Sequence, residues 1–211
     1  LPTEHDLMSI YDASRDTIRK SLAILLNEGY IFKQAGKGTF VRKVKSNYKL
    51  TLLESFSEQM RASNIEPSSE IIKIEKTKPE QYILNHLEAN EEEKIFKIER
   101  LRKANNDPMC YEIAFVSESI CNNIDKKVQD NISLYDLYEN YYNLKLNYGD
   151  MTIEAKKAPK HISKVLKIKP HDAILEMRIV VYLDTGRPLY YVEAYYIGNK
   201  YFFSATLPRK A

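Results

Sequence analysis

The chain has 211 residues, 44% of them apolar, and a formal net charge of +3; that is enough apolar material for one large domain or two smaller ones and too much for a disordered chain. No run approaches the roughly 18 apolar residues of a membrane helix and no basic-plus-apolar leader opens the sequence, so a cytoplasmic protein without membrane contact is expected. Residues 1–50 hold nine Lys or Arg against five Asp or Glu, leaving 23 of the 32 basic and 24 of the 29 acidic residues for positions 51–211, so the charge that would attract a polyanion sits in the first fifty.

Thr3 precedes Glu4-His5-Asp6 in a capping pattern, and Leu7, Ile10 and Tyr11 then recur at helical spacing. Asp12-Ala13 breaks this short helix. Ser14 can cap a second one running to about Glu28, with Ile18, Leu22, Leu25 and Leu26 on one face and Gly29 as its stop. Two helices joined by so short a turn make a helix-turn-helix. Tyr30-Ile31-Phe32-Lys33 and Thr39-Phe40-Val41-Arg42 are β-prone runs joined by a glycine-bearing turn, a hairpin that serves as a wing. Arg15 and Arg19 stand at i and i+4 near the start of the second helix, with Thr17 and Lys20 beside them, where a recognition helix presents groups to bases and phosphates. At the wing tip, the small backbone of Gly36 suits a narrow groove, and Lys37 suits a phosphate.

Leu1-Pro2-Thr3-Glu4, Ser14-Arg15-Asp16-Thr17-Ile18-Arg19-Lys20-Ser21-Leu22, Glu28-Gly29-Tyr30-Ile31 and Gly36-Lys37-Gly38-Thr39-Phe40-Val41 together resemble the DNA-binding domain of the GntR family, over residues 1–42 almost without gaps. The resemblance implies that Arg15 and Arg19 contact operator bases and backbone, Thr17 a phosphate, and the Gly36 region the minor groove. His5 departs from it, standing where many members carry an arginine. The family's first helix is expected upstream of Leu1.

Residues 43–50 are polar and basic, which suits a linker, placed at 44–50 between a DNA-binding domain (1–43) and a sensor (51–211). The remainder compares with itself at a spacing of about 80 residues. After Pro79 come Leu84 and Leu87 at helical spacing, Ile95-Phe96-Lys97-Ile98, a turn, and Pro108-Met109-Cys110-Tyr111-Glu112. After Pro159 come Ile162 and Leu166, Ile174-Leu175-Glu176-Met177, a turn, and Pro188-Leu189-Tyr190-Tyr191-Val192-Glu193. Each copy reads strand, helix, strand, turn, strand. About six strands with helices gathered to one side give an α+β fold dominated by antiparallel hairpins. Over residues 50–208 this order resembles the UTRA domain, the chorismate-lyase-like sensor of the HutC branch of the GntR family.

Strand alternation puts Arg100 and Arg102 on the face of Phe96 and Ile98, and buried arginines need anionic partners. One reading is an internal ion pair with Glu112 or Glu193. The other is an anion site: the second copy has Ile179 and Val181 at the matching positions, so the fold itself does not demand arginines there, and phosphate suits paired guanidinium forks. Ser55-Phe56-Ser57-Glu58 and Ser133-Leu134-Tyr135-Asp136 each open a helix and could either cap it or complete the site. By resemblance to sugar-phosphate-sensing members, the effector pocket is lined by Phe56, Ser57, Arg100, Arg102, Glu112, Ser133 and Tyr135, with Glu193 accepting from a sugar hydroxyl. Tyr191 and Tyr195 share the face of Glu193.

Cys110 and Cys121 are too few for a disulfide framework, and His5, His86, His161 and His171 form no metal-ligand spacing, so neither metal nor cofactor is expected. A chorismate-lyase-like enzyme is the rival reading, but no nucleophile-plus-base arrangement or phosphate loop supports turnover. A regulator sensing a non-sugar carboxylate and a constitutive DNA-packaging protein are further alternatives. The expected protein is a homodimeric repressor that binds an inverted-repeat operator in double-stranded DNA and answers to a small phosphorylated sugar.

Overall fold

The computed structural model describes residues 1–28, 30–34, 36–41 and 45–209. The expected helix stop at Gly29, the Ala35 and Arg42 positions of the hairpin, and the domain boundary at residues 43 and 44 lie outside the described residues. Two compact units are present, Leu1–Ser46 and Asn47–Ala211.

In the first unit, helix α1 (Glu4–Tyr11) starts at a capping box in which Thr3 and Asp6 satisfy each other's backbone N–H groups, and it ends where Asp12 turns left-handed. Helix α2 (Arg15–Asn27) begins at Ser14, whose hydroxyl accepts from the Thr17 N–H. Ile18 and Leu22 of α2 bury against Ile31, with Leu7, Met8, Ala13 and Leu26 packed around them. Leu25, Ile10 and Tyr11, expected on the packed faces, are exposed: they point away from the one small cluster the unit forms, which takes a narrower stripe of each helix than the spacing suggested. Strands β1 (Ile31–Gln34) and β2 (Gly38–Val41) pair antiparallel as the wing. Gly36 and Gly38 both have positive φ, conformations that L side chains resist, which is why the tip is glycine-rich.

The second unit is built on a six-stranded antiparallel sheet made of two copies of one motif. The first copy is β4 (Pro67–Thr77), α4 (Gln81–Leu87), β5 (Ile95–Ala104) and β6 (Asp107–Ser117); the second is β7 (Leu146–Lys157), α6 (Lys160–Leu166), β8 (Ala173–Leu183) and β9 (Pro188–Ile197). The strand order β4-β5-β6-β9-β8-β7 joins the copies at β6 and β9, so the duplication read from the sequence becomes a local twofold in the sheet. Helices α4 and α6 cover one face through Ile83, Leu84 and Leu87 and through Ile162 and Leu166.

The helices are not all on that side. The opposite face carries the largest core, where Phe96, Ile98, Ala114, Val116, Ile179 and Val181 pack under helix α3 (Phe56–Ala62), helix α5 (Leu134–Asp136) and a π-helical turn over Leu137–Tyr141. A duplicated sheet is apolar on both faces, and the segments between the copies and before the first supply the second cover. Residues 46–49, expected as linker, form strand β3 (Ser46–Lys49), which pairs with β10 (Tyr201–Ser204). Tyr48 is the reason: its ring is buried against Tyr201 and Phe203 and its hydroxyl donates to the Glu54 carbonyl at 3.1 Å. A single aromatic in a polar stretch thus anchors it to the core.

Candidate effector cavity and DNA-contact surface

On the α3 side of the sheet, a narrow cavity runs from β5 across β6 and β9 to β8. Even-numbered residues of β5, β6 and β9 and odd-numbered residues of β8 face it. Arg100 and Arg102 come from β5, Glu112 from β6, Tyr190, Val192 and Tyr196 from β9, and Met177 and Ile179 from β8, with Phe56, Ser133 and Tyr135 closing it from the helical side. Its interior is small, about 40 Å³, room for a few waters, so a larger ligand must push its walls apart.

The two arginines differ in their partners. Arg100 is ion-paired with Glu112, its register partner across the ladder, and its Nη1 donates to the Ile132 carbonyl at 3.1 Å. Burial pushes the Glu112 carboxyl up, but Arg100 and then Arg102 outweigh it and hold the group below its ordinary value. Arg102 is 3% exposed. Its Nη2 donates to Ser57 Oγ at 2.8 Å and its guanidinium lies 4.8 Å from the centroid of Phe56, while its Nε has no hydrogen-bond partner among the described residues. Burial, and secondarily the like charge of Arg100, push its pKa down to about 10. At neutral pH it is therefore a buried cation without a carboxylate of its own, a costly arrangement that an anion in the cavity would relieve.

The expected helix starts take part as follows. Ser55, not Ser57, is the cap of α3, in a reciprocal box with Glu58, which leaves Ser57 free to accept from Arg102. Ser133 caps α5, accepting from the Asp136 N–H at 3.3 Å, and lines the cavity. The Tyr135 ring meets Tyr190 edge-on, and burial raises the pKa of both hydroxyls, so they are neutral donors at neutral pH.

Glu193 does not join these residues. It pairs with Ile113 and Arg178 in the ladders, and its carboxylate accepts from the hydroxyls of Tyr82, Tyr191 and Tyr195 at 3.0 to 3.2 Å on the α4 face. The strand-starting prolines show why. Glu112 lies four residues after Pro108 but Glu193 five after Pro188, and an offset of one residue moves a side chain to the other face of a sheet. Tyr190, Val192 and Tyr196 hold the places on β9 that face the cavity, as alternation along that strand dictates.

On the first unit, Arg15 and Arg19 project from α2 with side chains 70% and 63% exposed, both within 3.8 Å of the Glu4 carboxylate. Lys20 pairs with Asp16 one turn away at 3.0 Å. The Thr17 hydroxyl lies 2.9 Å from that of Ser14, and Gly36 and Lys37 are exposed at the wing tip. The surface thus offers basic side chains along one helix and a bare, positive-φ backbone on the hairpin, an arrangement suited to a major groove with phosphate contact alongside.

Comparison with known proteins places both units. Residues 1–41 match the model of the bacterial regulatory proteins of the gntR family, and residues 62–201 match the UTRA domain. Among curated relatives, the transcriptional repressor NagR of Bacillus subtilis is 28% identical over 203 residues, spanning 96% of this chain and 83% of NagR. The mannosyl-D-glycerate transport/metabolism system repressor MngR of Escherichia coli is 24% identical over all of this chain and 88% of its own. Among solved structures, PhnF of Mycobacterium smegmatis superposes with a TM-score of 0.81 over 100% of this chain and 92% of that one, at 16% identity. Among the described residues no helix is long and apolar enough to cross a membrane.

Proposed function

The chain belongs to the UTRA-bearing, HutC-type members of the bacterial gntR family, DNA-binding transcription regulators and not enzymes, and from that premise we propose that it is a repressor released from its operator by a small phosphorylated sugar. The observation that carries this reading is Arg102, buried, partly unsatisfied and facing a cavity. A phosphate accepts from guanidinium and hydroxyl groups together; Arg102 and Ser133 line the cavity, and Ser57, outside its lining, holds Arg102 Nη2. Glu112 and the hydroxyls of Tyr135, Tyr190 and Tyr196 line the remainder with acceptors and neutral donors of the kind that sugar hydroxyls pair with. The names of relatives such as the mannosyl-D-glycerate repressor MngR and the probable fructoselysine utilization operon repressors of Escherichia coli and Shigella flexneri point to sugar metabolism.

The protein acts in the cytoplasm as a homodimer on an inverted repeat. One helix-turn-helix reads only a short half-site, and a symmetric pair fixes two of them at a set spacing. Arg15 and Arg19 read bases, while Thr17, Lys20 and Lys37 hold phosphates and Gly36 lets the wing approach a minor groove. The sensor is the second unit, from Asn47 onward with β3 as part of it, and the reader is the first unit, Leu1–Ser46. The ligand must favour a dimer whose recognition helices are wrongly spaced, and by linkage DNA weakens ligand binding by the same factor.

A mobility-shift assay on the DNA upstream of its own gene, run with a panel of sugar phosphates, tests the proposal. Retardation relieved by a sugar phosphate is expected. Retardation that no sugar phosphate alters, or relief by a carboxylate lacking phosphate, refutes the effector class.

A further inference from the structure

The six-stranded sheet ends in two edge strands, β4 and β7, and they are finished differently. An open edge presents a row of unpaired backbone N–H and C=O groups to any strand that can reach it. Along β4 that row is interrupted: Asn131 Oδ1 accepts from the Ser69 N–H and the Asn131 N–H donates to the Ser69 carbonyl, both at 3.0 Å, and Asp130 Oδ1 accepts from the Ile71 N–H at 2.7 Å. A loop thus seals this edge. Strand β7 is 12 residues long, and among the described residues no hydrogen bond reaches its backbone apart from its ladder with β8.

The bare strand is also divided by face. Asp150, Thr152, Glu154 and Lys156 make one side polar, while Met151, Ile153 and Ala155 make the other apolar and leave it half-buried or exposed. The apolar side continues the face that carries the largest core, because Met151 pairs with Ile179 and Ile153 with Met177. Leu50 and Leu52, 37% and 71% exposed, line an apolar cleft over the same stretch. A long edge with an apolar flank and no inward-pointing charge is one that another strand should cover.

Charge decides what that strand is. Two antiparallel copies related by a twofold axis set residues of the same face opposite each other, so one residue at the axis meets its own copy. With Ile153 at the axis, Met151 meets Ala155 and Asp150 meets Lys156, and Asp150 makes no ion pair within the chain among the described residues. That ladder runs from Gly149 to Lys157, between the irregularity at Leu146/Tyr148 and Pro159. An axis at Thr152 sets Asp150 against Glu154, and one at Glu154 brings two carboxylates face to face; like charges directly opposite disfavour both. An axis at Met151 pairs no opposite charges, and one at Ala155 sets Ile153 against Lys157 and soon meets Pro159. Apolar and charged positions match together only at Ile153.

We propose that two copies of this chain join through their β7 strands, antiparallel about an axis at Ile153, so that two six-stranded sheets become one. This rests on the reading of the protein as a homodimer and names the surface that makes it. The interface lies one strand from the cavity: Met177 and Ile179 wall the cavity from β8 and are the register partners of Ile153 and Met151. A ligand that pushes those walls apart therefore bears on the strand that sets the geometry of the dimer.

Cross-linking and sedimentation test it. Ile153→Cys, treated with a short bismaleimide, should cross-link into dimers, and Lys73→Cys on β4 should not; the native Cys110 and Cys121 are buried and give no background. Asp150→Lys, at an exposed position, turns two attractive pairs into two repulsive ones. It should weaken the dimer at least about 10-fold by sedimentation while circular dichroism shows the fold intact. Either result without the other overturns the Ile153 register. A dimer that Asp150→Lys leaves intact, and that cross-links no better at residue 153 than at residue 73, uses another surface; this overturns the proposal and keeps the homodimer. A parent chain that stays monomeric at micromolar concentration overturns both.

Discussion

Replacing Arg102 with methionine separates a ligand-binding cation from a structural one. The fall of its pKa from 12.5 to about 10 corresponds, at 1.36 kcal/mol per unit, to roughly 3 kcal/mol by which folding penalises the charge. Methionine, of similar length, removes that penalty and gives up the Ser57 hydrogen bond, worth about 1 kcal/mol, and the Phe56 contact, worth at most about 2 kcal/mol. The two sides nearly cancel, so Arg102→Met should leave Tm within roughly 4 °C of the parent. Because the depressed pKa still lies near 10, the group is charged in both folded and unfolded chains at neutral pH, and the difference from the parent should stay constant between about pH 6 and 9. Arg100→Met is the contrast. It leaves the buried Glu112 without its ion pair, which costs about 3–5 kcal/mol and should lower Tm by roughly 6–20 °C. Effector binding by Arg102→Met should fall by about 1.5–3 kcal/mol, roughly 10- to 150-fold, while operator binding persists, so that the variant represses without release. Differential scanning fluorimetry, calorimetry with glucose 6-phosphate and a mobility-shift assay read the three quantities. If Arg102→Met is as unstable as Arg100→Met, or binds sugar phosphate at the parental affinity, Arg102 is not an anion receptor.

On DNA, Arg15→Ala and Arg19→Ala should each cost about 1–3 kcal/mol on the operator and little on random sequence, whereas Lys37→Ala should weaken both alike and reduce the slope of log K against log salt by about 0.9; equal losses of Arg15→Ala on operator and random DNA would refute base reading. The Glu112 carboxyl, held below its ordinary 4.5, contributes stability that is complete above that value and lost as pH falls through the lowered one, so Glu112→Gln should flatten the acid side of the stability curve measured by denaturant titration. The second ionisation of a phosphate monoester lies near pH 6, so affinity for glucose 6-phosphate should rise from about pH 5 to 7.5 and then level off, as seen by calorimetry. Sedimentation at micromolar concentration should give a dimer; a stable monomer would contradict the inverted-repeat operator.

Local chemistry alone determined much of this molecule. Capping at Thr3 and Ser14, the glycine-rich wing and the basic residues of α2 depend on neighbours within four positions, and the periodicities that reveal them are printed in the chain itself. The duplication at about 80 residues was legible for the same reason, since each copy repeats its own strand, helix and turn signals. The face on which Arg100, Arg102 and Glu112 meet also follows from alternation within single strands. What tertiary structure decided depends on partners far apart in sequence. Nothing near Arg100 says that it, rather than Arg102, takes Glu112 as its ion pair; the β5–β6 register does. Glu193 looked like the counterpart of Glu112 by motif, but its one extra residue after the proline set it on the α4 face among tyrosines. Tyr48 became core because β10, more than 150 positions later, lies against β3, and position 149 needs glycine because Ile179 and Leu53, from two other segments, pack against it. Sequence patterns fix which way a side chain points along its own element; which charge ends unpaired, and how far a cavity extends, are settled only when elements from distant parts of the chain share the same space.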